Sequence, residues 1–314
     1  SGSCHTDSDQ FPIEGKGFNA GLRGKKASYY DGGHKVPFII RWPDGNLTGG
    51  WDIDEMCLDI DMLPTFIELC GLQNSKEFDG TSFANVLTDN ACMPERIHFL
   101  QIKQSPTPPD KEKSCVMTSK WRLVNRRELY DIKTDPGQKY DLADNHPEVV
   151  AELKAAHDAW WEEMTPYFED PCAIALGNPA ENPTTICAMD VMGDVAWQQA
   201  HVLAAVKSSG NWHVNVEAPG KYRFALRRWP EELPIPMEDN VSNEFAKTVV
   251  YPNSDRKNIV PDTAKLTIFG KSYEQQAEPG AEEVAFEIDI QDAGRTILEC
   301  SFTDIEGETY GAYY

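Results

Sequence analysis

From Pro171 onward the apolar residues fall on alternate positions, and this change of period constrains the fold more than any other feature of the chain. Trp212, Val214 and Val216 alternate with polar residues, an Ala-Pro-Gly turn follows, and Tyr222, Phe224 and Leu226 alternate again. Leu266 and Ile268, then Val284, Phe286, Ile288 and Ile290, then Leu298, Cys300 and Phe302 repeat the pattern, with Gly270, Gly280 and Gly294 between the runs. Period two is the spacing of half-buried strands, and several such strands in succession predict a β-sandwich. Before Pro171 the texture mixes strand and helix, which predicts an α/β domain. The boundary is expected within Tyr167–Ala180, giving an α/β domain over residues 1–170 and an all-β sandwich domain over residues 171–314. A chain of 314 residues has room for about two domains.

In the first part, Val36–Pro43 reads as a short buried strand closed by a Trp-Pro-Asp-Gly turn. Residues 59–71 read as a helix with Asp61 as N-cap, Pro64 in the first turn and Gly71 as the stop. On that helix Leu63, Phe66, Ile67 and Cys70 share a face for packing on a sheet. Residues 97–102 and 115–124 read as strands, followed by Glu128–Ile132 and a turn at Asp135-Pro136-Gly137. A second helix follows, capped by Asn145 with Glu148 in the capping-box position. Its residues Val149, Leu153, Ala156, Trp160 and Met164 recur at helical spacing.

The chain is acidic, with 51 acidic against 29 basic residues and a formal charge of -22, yet Lys16–Arg41 holds six Lys/Arg and one acid, Asp31. Cations set among glycines before an apolar strand suit a small anionic ester. The global sign argues against nucleic acid or an anionic membrane as partner, and no apolar run is long enough to span a bilayer. The eight cysteines show no C-x-x-C pair and no zinc-type His/Cys clustering, which leaves buried thiols or disulfides as readings. Asn46-Leu47-Thr48 and Asn240-Val241-Ser242 fit the glycosylation triplet, a common chance pattern. The chain begins without an initiator Met or a signal region and close to a functional-looking motif, so an excised piece of a longer protein is expected.

The segment Asn19-Ala20-Gly21-Leu22-Arg23-Gly24-Lys25-Lys26, with Asp31-Gly32-Gly33-His34-Lys35-Val36-Pro37 after it, resembles the signature of type I sulfatases in the alkaline-phosphatase-like superfamily. Leu58–Thr65 is similar to the helix that follows in that family, and Glu128–Asp131 with Asp135–Leu142 is similar to its C-terminal L-Y-D…D-P element. The resemblance spans about residues 5–165. It implies an α/β domain that is the C-terminal portion of a sulfatase, hydrolysing sulfate monoesters with calcium and a formylglycine nucleophile. The ester's oxygens share negative charge and repel a nucleophile, so covalent attack in that family needs both the calcium and the formylglycine.

By that resemblance Lys26 binds the sulfate and serves as a catalytic cation, while Arg23 and Lys25 are scaffold and His34 and Lys35 structural. Asp31, in place of the family's Glu, is expected to hydrogen-bond the turn. Asp7 matches the metal-binding Asp, although Ser8 stands where an Asn is expected. His98 falls on a strand flanking the expected pocket, either as a buried histidine satisfied by a neighbour or as a substrate contact.

Cys92-Met93-Pro94-Glu95-Arg96 fits the bare nucleophile pattern but comes after the lysine motif. It reads as a coincidence, with Cys92 in a loop and Arg96 in a salt bridge. The formylglycine is therefore expected in a missing N-terminal part, the chain alone is expected to be inactive, and an apolar face left there would favour self-association. Sulfated small molecules or carbohydrates are the implied partners, and the parent protein is expected to be periplasmic or secreted. Gly210–Pro230 resembles the β-sandwich appended to some bacterial sulfatases, with Trp212 and Tyr222 expected in its core. Two other readings stand beside this one: a glycan-binding or docking module without catalysis, and a phosphate or phosphonate ester hydrolase of the same superfamily.

Overall fold

A computed structural model describes residues 19–103, 108–196, 198–241 and 255–314. The chain divides into two compact units, the first ending at Thr165 and the second running from Pro166 to Tyr314.

The first unit is built on a four-stranded antiparallel sheet in sequence order: β1 (His98–Leu100), β2 (Cys115–Met117), β3 (Trp121–Val124) and β4 (Glu128–Asp131). Residues 115–124, expected as one strand, are a hairpin. Thr118 makes its turn, the side-chain oxygen accepting the N–H groups of Lys120 (3.2 Å) and Trp121 (2.9 Å). Alternation then gives the sheet two buried faces. Val116, Leu123 and Leu129 pack with Leu153 of α4 (Pro147–Glu169), while Cys115, Met117, Val124 and Tyr130 pack with Tyr29, Tyr30, Met56 and Leu58. Apolar surface removed from water on both sides stabilises the sheet by about 25 cal/mol per Å². Pro147 opens α4, where its missing N–H costs nothing, and the residue directly before it is His146 in place of the expected cap Asn145.

Two other expectations are corrected. Val36–Pro43 is not a strand. Among the described residues it makes one bridge, Trp42 with Leu47, and Val36, Phe38 and Ile39 are exposed. Pro37 lacks a donor, and no described strand pairs with the segment. Ile40 and Trp42 nevertheless pack on a small cluster with Leu47, Phe83 and Leu87. The helix α2 (Met62–Leu69) forms, and Gly71 ends it at φ 61°, but the wrong face was expected inside. Leu63, Phe66 and Cys70 are exposed, while Asp61, Thr65 and Leu69 face inward. Thr65 decides this: its hydroxyl donates to the Asp61 carbonyl (2.6 Å) and accepts from the Phe83 N–H (2.9 Å), turning α2 toward α3 (Ala84–Asp89).

The second unit has a seven-stranded sheet and a two-stranded ribbon. The sheet contains β5 (Ile174–Leu176), β6 (Met192–Asp194), β7 (Ser209–Val216), β9 (Pro261–Ile268), β10 (Lys271–Gln276), β12 (Gly294–Asp304) and β13 (Thr309–Gly311); the ribbon pairs β8 (Gly220–Leu226) with β11 (Val284–Ile290). A short helix, α5 (Gln199–Leu203), breaks the all-β pattern. Alternate residues of sheet and ribbon form one core, including Val214, Leu266, Leu298, Leu226, Phe286 and Ile288. Trp212 is buried in it, its ring N–H donating to the Cys187 carbonyl (3.0 Å), and Tyr222 packs against it. The seven described cysteines are free thiols.

Candidate functional site

The cationic loop sits on the face of the first sheet opposite α4. Residues directly opposite each other across strands share a face, and the registers His98↔Met117, Met117↔Arg122 and Arg122↔Tyr130 lay one row across all four strands. Its members on β3 and β4 hold the loop. Tyr130 receives the Arg23 guanidinium at its hydroxyl (2.7 Å), and Arg122 reaches Asp31 (Nε to Oδ1, 3.0 Å).

Lys26 occupies the tip of a turn closed by the Ser28 N–H donating to the Lys25 carbonyl (2.9 Å), with the Lys25 N–H returning to Ser28 Oγ (3.2 Å). Ala27, next in the turn, has φ 69°, a left-handed conformation that costs a residue with a Cβ about 1–2 kcal/mol. The Lys26 side chain is exposed. Beneath the turn runs a single helical turn, α1 (Asp31–His34), whose Gly32 and Gly33 are buried. A Cβ on Gly33 would meet the carbonyl oxygens of Ser28 and Lys25, and one on Gly32 would meet Asn19 and the carbonyls of Arg23 and Gly24. Glycine is thus required twice so that helix and loop can touch. Asn19 ties the same loop by donating to the carbonyls of Leu22 (3.0 Å) and Gly24 (2.7 Å).

Asp31 does more than hydrogen-bond a turn. It is 2 % exposed, pairs with buried Arg122, and gives its N–H to the side-chain oxygen of Gln138 (2.7 Å), a residue with no exposed surface. Arg122 also donates to the carbonyls of Thr118 (2.5 Å) and Trp121 (3.0 Å). Arg23 is a scaffold residue, as expected: it stacks on the Tyr30 ring (3.9 Å) and donates to the Tyr30 hydroxyl (2.9 Å) and the Gln138 carbonyl (3.2 Å). Both tyrosine hydroxyls in turn donate to Glu128. Burial, and then Glu128, push the Tyr30 and Tyr130 hydroxyls up, so both stay protonated donors.

His34 and His98 are half-buried beside this network. Burial pulls both rings below the usual histidine range; Asp31 opposes this at His34, and Arg96 adds to it at His98. Both are therefore neutral near pH 7. His34 Nε2 lies 3.7 Å from Asp31, beyond hydrogen-bond reach. His98 stands at the end of the row that carries Arg122.

Asp7 lies outside the described residues. Among those described, no three His, Cys, Asp or Glu side chains converge where they could hold a metal ion. Cys92 is exposed in a loop and Arg96 is committed to Asp61, its NH1 2.7 Å from Oδ1, the salt-bridging role expected of it. Arg122 and Gln138 were not singled out as site residues. A charged residue inside the apolar run Trp121–Val124 was the available signal for the first, because a buried charge needs a partner.

Residues 21–160, a little under half of the chain, match the family described as N-sulphoglucosamine sulphohydrolase, C-terminal, so this part of the chain is similar to the C-terminal region of sulfatases. An arylsulfatase of Hemicentrotus pulcherrimus is 25% identical over 199 residues, 51% of this chain and 36% of that protein. The steryl-sulfatase of Rattus norvegicus is 34% identical over 203 residues, 53% of this chain and 34% of that protein. This chain therefore spans about a third of the length of these two relatives. A solved structure from work on glycosaminoglycan metabolism in Bacteroides thetaiotaomicron overlaps 45% of this chain and 32% of its own, at 22% identity and a TM-score of 0.36.

Proposed function

We propose that this chain is the C-terminal portion of a sulfuric ester hydrolase, in which Lys26 binds the sulfate group and stabilises charge on the departing oxygen. The observation that carries this reading is the Lys25–Ser28 turn, matched to the sulfatases in sequence and held by two buried glycines and an Asp31–Arg122 pair. A solvated lysine needs no such support. A cation that must meet a tetrahedral anion does, because preorganised charge costs no reorganisation during reaction. His98, on the same face, is a candidate contact to the remainder of the substrate. The nucleophile and the calcium ligands belong to the enzyme outside the described residues. The second domain, residues 171–314, acts as a β-sandwich accessory to it, and the parent protein works in the periplasm or outside the cell on sulfated small molecules or carbohydrates.

Lys26→Ala in the full-length enzyme is the test, read with a chromogenic aryl sulfate and calcium. Loss of turnover by about a hundredfold or more with an unchanged unfolding midpoint supports the reading, and unchanged turnover rejects it. The 314-residue chain assayed alone is expected to show no turnover; ordinary sulfatase rates from it would place the nucleophile within these residues.

A further inference from the structure

We propose that Arg122, together with Gln138, is a positioning residue for Lys26, acting through the backbone of the Asp31–His34 helical turn; this deepens the reading of Lys26 as the sulfate-binding cation and rests on it. Arg122 and Gln138 come from β3 and the loop after β4, yet they converge on Asp31, the first by Nε to Oδ1 at 3.0 Å and the second by accepting the Asp31 N–H at 2.7 Å. Both partners of the ion pair are buried, with side chains 7% and 3% exposed. From Asp31 the contact passes to Gly32, whose N–H donates to the Arg23 carbonyl (2.8 Å), and to Gly33, which abuts the carbonyls of Lys25 and Ser28. Those two carbonyls belong to the turn that carries Lys26.

Displacement of Asp31 is therefore passed into the loop through Gly32 and Gly33. Ala27 is held in a left-handed conformation that relaxes once support is withdrawn. Neither Arg122 nor Gln138 reaches the sulfate position directly, because both are buried beneath α1. Their effect on reaction is therefore one of geometry, where a shift of about 1 Å can cost about a hundredfold in rate.

The experiment compares Arg122→Lys, Arg122→Gln and Lys26→Ala, reading kcat and KM for an aryl sulfate in the full-length enzyme and amide hydrogen exchange in the 314-residue chain. Arg122→Gln is expected to lower kcat by about a hundredfold and to speed exchange at the Gly32 and Gly33 amides while amides of β2 and β3 keep their protection. Arg122→Lys, which keeps the charge but not the fork, is expected to recover part of both. If Arg122→Gln does not fold because Asp31 is left buried and unpaired, the neutral double variant Asp31→Asn/Arg122→Gln replaces it with the same expectations.

Unchanged kcat in Arg122→Gln, alongside a dead Lys26→Ala, overturns the proposal and leaves the Lys26 reading standing. Unaltered turnover in Lys26→Ala removes the catalytic role of the turn, and with it this proposal, whatever exchange shows. Unchanged exchange at Gly32 and Gly33 in a folded Arg122 variant also overturns it, independently of activity.

Discussion

Arg96 grips Asp61 with both ends of its guanidinium, and Asp61 has no exposed surface at all. The same carboxylate accepts the N–H groups of Leu58 (2.7 Å) and Thr81 (2.8 Å), so one side chain joins the entry to α2, the loop before α3 and the approach to β1. Asp61 was expected as a helix cap. It serves as the joint around which three segments are fixed, with no side-chain bond to an α2 amide.

Breaking that pair leaves a buried charge uncompensated. Arg96→Met is expected to destabilise the first unit by about 3–5 kcal/mol, measured by urea unfolding. Burial pushes the Asp61 carboxyl up, but Arg96 and the Thr81 and Leu58 amides outweigh it and hold the group below the ordinary carboxylate range. Its contribution is therefore present above about pH 4 and lost as pH falls through the depressed folded value. Asp61→Asn should flatten the acid limb of the stability curve; an unaltered limb would remove Asp61 from its causes.

His157 has the opposite chemistry and adds a second acid sensitivity at higher pH. It has no exposed surface, stacks on Trp160, lies tilted against Phe99, and meets Arg126 NH1 at Nδ1 (2.7 Å). Burial first, then Arg126 and Lys111, pull its pKa down to about 4. Between about pH 6.5 and pH 4 the unfolded chain binds a proton that the folded chain refuses, so stability falls as pH drops through this window. Unfolding midpoints measured across it should lose part of their slope in His157→Gln, with His34 and His98 contributing to what remains.

Thiol reactivity should sort the cysteines by packing. Cys70, Cys92 and Cys172 are exposed, whereas burial pushes Cys115 up to about 12 and raises Cys300 as well. With a colorimetric disulfide reagent at neutral pH, the exposed three should react in the native protein and Cys115 only on unfolding. Rapid native labelling of Cys115 would contradict the buried β2 strand.

Much of the local structure was legible. Alternation marked most strands of the second unit, because a half-buried strand leaves its period in the sequence whatever its partners are. Gly71 ended its helix for a local reason, the absence of a Cβ penalty at positive φ. What failed had non-local causes. The stripe of Leu63 and Phe66 is a genuine helical stripe, yet the neighbour of α2 lies on the other side, where Thr65 and Asp61 meet the loop at Thr81 and Phe83. Val36–Ile40 has strand composition, but a strand exists only where another backbone accepts its hydrogen bonds.

The candidate site divides in the same way. Lys26, Arg23 and the paired glycines are adjacent in sequence, so spacing and family resemblance sufficed to find them. Arg122 stands 91 residues from Asp31, and Gln138 stands 107 residues from it. By itself the sequence determined which segment carries the cations, which turns must contain glycine and where the hydrophobic period changes, since each depends on near neighbours along the chain. Only the tertiary structure decided which buried groups hold that segment in place. A buried charge takes whatever partner the folded backbone brings within about 3 Å, and that closeness is created by sheet register and packing.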